Sequence, residues 1–122
     1  MSQPAIPTVD VAEAERRLRE DPASPILLDV REVNEFEEIR AAGAVLVPTS
    51  LFMTRVESLP TDRPLMVVCH MGGRSAAVAG FLIRSGRTDV VNVAGGMEAW
   101  ERAGLPVRRG TVEPGEGDMP GG

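Results

Sequence analysis

Four stretches of the chain are runs of mostly apolar residues: "PILLDV" at 25–30, "AVLVP" at 44–48, "LMVVC" at 65–69 and "DVVNV" at 89–93. None alternates with polar residues, as a strand with one wet face would. Between them the pattern changes to helical spacing. Val11, Ala14 and Leu18 recur on one face, with Asp10 as N-cap, Glu13 completing a capping box, and Asp21-Pro22 as the stop. "REVNEFEEIR" predicts a short acidic helix from about Val33, broken by Gly43, and Ser50 or Thr54 can cap a helix reaching about Leu59. "RSAAVAGFLIRSG" predicts a helix with Ala77, Val78, Phe81 and Leu82 inward and Gly86 just past its end. "GGMEAWERAG" at 95–104 predicts another short helix. Continuous apolar strands separated by helices indicate an α/β domain with a parallel sheet covered on both faces. In such sheets ligands bind beyond the carboxyl ends of the strands.

The last stretch, 110–122, is "GTVEPGEGDMPGG". It is rich in Gly, Pro and acid, and has too few apolar residues to offset the entropy of ordering. The expected organisation is one domain over 1–109 and a flexible tail over 110–122. The diglycine at Gly121-Gly122 resembles the end of a ubiquitin-like sulfur carrier, but nothing else in the chain does, so it is read with the tail.

Composition removes several function classes. The chain has 122 residues and a net charge of -5, which argues against general nucleic-acid binding. All 13 basic residues are arginine, a bias in keeping with a GC-rich bacterial genome. Without lysine there is neither Schiff-base chemistry nor a P-loop lysine. One cysteine and one histidine leave no intrachain disulfide, no resolving thiol and no supported metal site, and no cofactor is implied. The opening "MSQPAIPTVD" has no basic, apolar leader, and no window approaches the ~20 apolar residues of a membrane span. A cytoplasmic location without membrane contact is expected.

The single cysteine is the informative residue. Cys69 ends the third apolar run, and "HMGGRS" follows it directly. Gly72 and Gly73 let successive N–H groups turn inward, the next helix aims its N-terminus at the same point, and Arg74 can add a fixed charge. The result is an anion cradle with a thiol at its floor, which should favour thiolate and lower the Cys69 pKa. Cys69 is the candidate nucleophile; His70, Met71, Gly72, Gly73, Arg74 and Ser75 are the candidate substrate-binding loop. His70 is read as lining the pocket and Met71 as an apolar wall.

"LLDVREVNEF", "VVCHMGGRSAAVAGFLIRSG" and "VVNVAGGMEAWERAGLPV", in this order, resemble the single-domain rhodanese-like sulfurtransferases over about residues 6–108. The resemblance implies a three-layer α/β/α fold with a central, mostly parallel five-stranded sheet, its fifth strand near Ile6 to Val9. It implies that Cys69 takes a sulfane sulfur from thiosulfate or a similar small anionic donor and passes it to cyanide or a thiol, a protein thiol included. It also implies that Asp29 and Arg31 hold neighbouring loops by ion pairing. Where the family has a "GHIPGA"-like segment this chain has "IRAAGA", with Arg40 in place of histidine; Arg40 is read as a solvated surface residue. Trp100 is read as a packing anchor between helix and sheet. Two alternatives stay open: a relay module serving a protein partner, and a cysteine phosphatase or arsenate reductase. The second is disfavoured because relatives acting on phosphate or arsenate place one more residue between the cysteine and the arginine.

Overall fold

Apolar strands without alternation need cover on both faces, and the computed structural model, which describes residues 5–120, supplies it. The elements are β1 (Thr8–Val9), α1 (Val11–Glu20), β2 (Ile26–Asp29), α2 (Val33–Glu38), β3 (Arg40–Ala41), β4 (Val45–Leu46), α3 (Phe52–Arg55), β5 (Leu65–Val68), α4 (Gly73–Arg84), β6 (Val90–Val93), α5 (Gly96–Arg102) and β7 (Val107–Arg108). Five strands form a parallel sheet in the order β1-β6-β5-β2-β4. Alternate residues of the central strands feed two cores. Ile26, Leu28, Val30, Leu65, Val67 and Cys69 pack with Phe52, Val78, Ala79 and Leu82. Leu27, Met66 and Val68 pack with Val11, Ala14, Phe36, Met97 and Trp100 on the other side. The expected three-layer arrangement, with a central five-stranded sheet, is therefore present.

Several local expectations change. Asp10 caps α1 by accepting from the Glu13 N–H at 2.8 Å. The Glu13 carboxylate does not return to Asp10, because Arg16 and Arg17 hold it. The capping box lies instead at α2, between Glu32 and Glu35. Helix α2 ends before Gly43, since residues 40–41 pair antiparallel with β7. The segment after Ser50 is a short α-helix between two 3-10 turns. In α4 Ala77 is exposed and Ala79 faces the core. Trp100 is buried as a packing anchor, its Nε1–H donating to the Pro106 carbonyl at 3.0 Å.

The largest correction concerns Arg40 and the tail. Arg40 is only 2 % exposed. Its guanidinium donates to both oxygens of Glu116 at 2.6 and 2.9 Å, and to the carbonyls of Phe36, Gly110 and Thr111. It also lies 5.5 Å from the centroid of the Phe36 ring. A planar fork with five donors can serve this many acceptors, where a histidine could not. Residues 110–119 are thus docked, not a free tail. The Gly110 N–H donates to Glu37, and the Leu46 N–H of edge strand β4 donates to the Gly117 carbonyl. The docked segment pairs with an edge that would otherwise be open. Gly121-Gly122 lies outside the described residues. Among the described residues no helix is long and apolar enough to cross a membrane.

Ending the chain after Arg109 should lower the unfolding free energy by roughly 2 kcal/mol, because it strips Arg40 of most of its acceptors and uncovers β4. Arg40→Ala should destabilise the full chain comparably and the shortened chain much less, since both changes remove the same interface. Chemical denaturation of the four proteins measures this; additive effects would show that Arg40 and the segment act independently.

Candidate active site

Strand β5 ends at Val68, so Cys69 opens the loop at the carboxyl edge of the sheet, and α4 begins at Gly73. Cys69 belongs to a core face and is 1 % exposed. Its Sγ accepts the Gly72 N–H at 3.1 Å, and the Ser75 hydroxyl lies 3.3 Å away. Gly72 reaches this position with φ +116, a region that L side chains rarely adopt. Burial pushes the thiol pKa up. The Ser75 hydroxyl and the N–H groups of Ser75, Gly72 and Met71 together outweigh it, so the Cys69 pKa lies below the ordinary thiol value of 9.0. Helix α4 adds the positive potential of its N-terminus to the same point.

The loop is clamped from behind by α5. The Met97 N–H donates to the Cys69 carbonyl at 2.8 Å and the Glu98 N–H to that of His70 at 3.0 Å. Gly96 makes this approach possible: a Cβ there would stand 2.4 Å from the Cys69 carbonyl oxygen and 2.5 Å from that of His70. Sequence reasoning treated Gly95-Gly96 as a helix boundary and missed this role. The available signal was two glycines directly after an apolar strand, which suggests a close backbone approach.

Arg74, expected to bring a fixed charge to the cradle, is held by a partner the sequence did not reveal. Its Nη1 and Nη2 donate to the two oxygens of Glu35 at 2.7 and 2.8 Å, tying α4 to α2. Glu35 also accepts the Glu32 N–H at 3.0 Å, and the Glu32 carboxylate takes the N–H and hydroxyl of Ser50. Asp29 and Arg31, both buried, form a two-pronged ion pair, and Arg31 also donates to the carbonyls of Glu35 and Ile39. His70 is exposed and lines a cleft of about 480 Å³ with Glu35, Glu38, Met97, Glu98 and Glu101. Met71 is 65 % exposed on the loop, and Gly73 begins α4. Sequence reasoning assigned Cys69, Gly72 and Ser75 to one candidate loop, and in the structure the Gly72 N–H and the Ser75 hydroxyl meet the Cys69 sulfur. It missed Glu35, Gly96 and Asn92, whose carboxamide oxygen lies 2.6 Å from the Ser75 hydroxyl.

Comparison with known proteins adds an independent line. The rhodanese-like domain family matches residues 10–103. The chain is 38% identical over 82 residues to a thiosulfate sulfurtransferase of Actinobacillus succinogenes, covering 67% of this chain and 74% of that one. It is 31% identical over 99 residues to a thiosulfate sulfurtransferase of Vibrio cholerae, covering 81% and 92%. A crystal structure of a rhodanese-related protein from Thermoplasma volcanium superposes with a TM-score of 0.73 at 31% identity, covering 84% of this chain and 97% of that chain.

The Glu35–Arg74 link has a definite pH signature. The Arg74 hydrogen bonds hold the Glu35 carboxyl at about 2, against an ordinary 4.5. A depressed carboxyl contributes stability fully above its unfolded pKa and loses it as pH falls through its folded one. Wild type should therefore exceed Glu35→Gln in melting temperature above about pH 4.5, and the gap should close toward pH 2. Both side chains are partly exposed, at 27% and 37%, so solvent screening keeps the gap small, ~1 kcal/mol or less. Thermal melts across that range check it; a gap independent of pH would assign the effect to packing.

Proposed function

We propose that this chain, which belongs to the rhodanese-like domain family and is a sulfurtransferase, carries sulfur as a persulfide on Cys69. The carrying observation is the Cys69 sulfur at the strand end, receiving the Gly72 N–H at 3.1 Å with the Ser75 hydroxyl at 3.3 Å. In the first step the thiolate attacks the outer sulfur of thiosulfate. A bond forms between Sγ and that sulfur, the original sulfur–sulfur bond breaks, and sulfite leaves with its electron pair. In the second step an acceptor nucleophile, cyanide or a thiol, attacks the outer persulfide sulfur and returns Cys69 as thiolate. No external oxidant or reductant is required.

The surroundings suit both steps. Donors already directed at Sγ stabilise the attacking thiolate, and the thiolate that the second step returns, without reorganising. A buried nucleophile favours a donor whose reactive atom projects from the end of a narrow group, as in thiosulfate. Substrate contact falls to the backbone of Met71, Gly72 and Gly73 and to Ser75. Arg74 acts from the side: with Glu35 it fixes the loop and leaves a positive potential near the sulfur. Asp29 and Arg31 hold the α2 side of the mouth, and His70 lines the adjoining cleft.

A protein acceptor is a second reading favoured by one observation. Met71, on the loop itself, exposes 65% of its surface, and an apolar side chain beside the thiol suits contact with another chain's surface. Phosphoryl or arsenate chemistry is opposed by the four residues between Cys69 and Arg74, a short loop for a tetrahedral centre above the thiol.

Cys69→Ser, almost isosteric, should fold normally and lose thiocyanate formation from thiosulfate and cyanide, because a hydroxyl cannot form a persulfide and no other thiol exists. Steady-state assays of wild type and variant, with an aryl phosphate and arsenate offered in parallel, decide between the readings. Retained sulfur transfer in the variant would refute the persulfide on Cys69, and efficient phosphate hydrolysis by wild type without sulfur transfer would replace the reading altogether.

A further inference from the structure

Asn92 is out of place on chemical grounds. It sits in β6 opposite Val67 of β5, 8% exposed, in a strand whose other residues are valines. A polar group in such a strand costs free energy unless it is bonded. Its carboxamide oxygen lies 2.6 Å from Ser75 Oγ. The same Oγ is 3.3 Å from Cys69 Sγ and 3.2 Å from the Gly72 carbonyl oxygen. A hydroxyl has one proton, so three acceptors compete for it.

Which acceptor receives the proton depends on the carboxamide. With Oδ1 toward Ser75, the hydroxyl donates to Asn92 and turns a lone pair toward the sulfur. A neutral thiol tolerates this, because its own S–H can donate to Oγ. An anionic sulfur does not. Turning the carboxamide over exchanges Oδ1 and Nδ2, which are nearly equal in size. Nδ2 then donates to Oγ, and the hydroxyl proton is free for the sulfur. A hydroxyl that accepts a hydrogen bond donates more strongly, so Nδ2 behind Oγ strengthens the bond to the charged sulfur.

We propose that Asn92 is a positioning residue for the sulfur chemistry, its carboxamide turning Nδ2 toward Ser75 so that the hydroxyl donates to the anionic Cys69 sulfur. With Oδ1 toward Ser75 it accommodates the neutral thiol. The inference rests on the persulfide reading above and deepens it: the attacking thiolate, and the thiolate that the acceptor regenerates, are anions at this place. Asn92 acts through Ser75 and needs no contact with the donor.

The test is the pH dependence of Cys69 alkylation by iodoacetamide in the full chain, for wild type, Asn92→Leu, Ser75→Ala and the double variant. The charged groups around the pocket are the same in all four: Arg74 paired with Glu35 from α4 and α2, Asp29 paired with Arg31 from the end of β2, and His70 on the loop. Asn92→Leu should move the alkylation midpoint up and slow the reaction at neutral pH about two- to fourfold, because the hydroxyl then serves the sulfur without a donor behind it to strengthen the bond. In the Ser75→Ala background the same substitution should leave the rate unchanged, because the coupling runs through the hydroxyl. An equal shift in both backgrounds, or no shift in either, would overturn the proposal. If melting curves show that Asn92→Leu does not fold, Asn92→Val, which matches the neighbouring valines of the strand and has no polar group, takes its place in the cycle. Wild-type thiocyanate formation is measured on the same preparations. Its absence would defeat the persulfide reading, while the alkylation cycle would still report whether Asn92 sets the state of the sulfur.

Discussion

A sulfur buried at the end of a strand would, by burial alone, stay protonated, and the whole carboxyl edge of the sheet is organised against that tendency. N–H groups of Met71, Gly72 and Ser75 and the Ser75 hydroxyl act on Cys69, and their combined effect exceeds the cost of desolvation. Such donors can converge only if the chain turns sharply after β5 and enters α4 at once. Gly72 supplies the turn with its positive φ, and the helix that follows adds its dipole. The reactivity of the thiol is thus a property of backbone geometry more than of neighbouring side-chain charge.

That geometry is held from several directions. Behind the loop, α5 approaches so closely that only glycine fits at position 96, and two of its N–H groups bond the carbonyls of Cys69 and His70. To one side, Arg74 and Glu35 tie the start of α4 to α2, while Arg31, neutralised by Asp29, binds the carbonyls at the end of α2. From the adjacent strand, Asn92 holds Ser75. Farther out, Arg40 gathers β3, α2 and residues 110–116 around one buried guanidinium. The sulfur rests in a frame whose parts come from β2, β5, β6, α2, α4 and α5.

Much of the frame was legible from pattern. Mostly apolar runs marked the regions of β2, β4, β5 and β6, and Cys69 followed by paired glycines and a helix marked the candidate site, because local backbone demands leave local traces. What pattern could not reveal depends on partners distant in sequence. Arg40 reads as a surface charge until residues 110–116 close over it, 70 or more positions away. Arg74 reads as a fixed charge on the cradle until Glu35, 39 residues earlier, takes both its terminal nitrogens. Asn92 reads as one polar residue in a strand until Ser75 is found beside it. The two-residue strands β3 and β7 were too short to carry any period at all.

The claim at the centre is that a donor's sulfane sulfur becomes covalently attached to Cys69, and the intact mass of the protein after exposure to thiosulfate tests it most directly. With one cysteine in the chain there is no ambiguity of site. The account predicts a gain of one sulfur atom, lost again on addition of cyanide and not formed in Cys69→Ser. A wild-type mass unchanged by thiosulfate and by other sulfane-sulfur donors, from a folded and fully reduced protein, would contradict it.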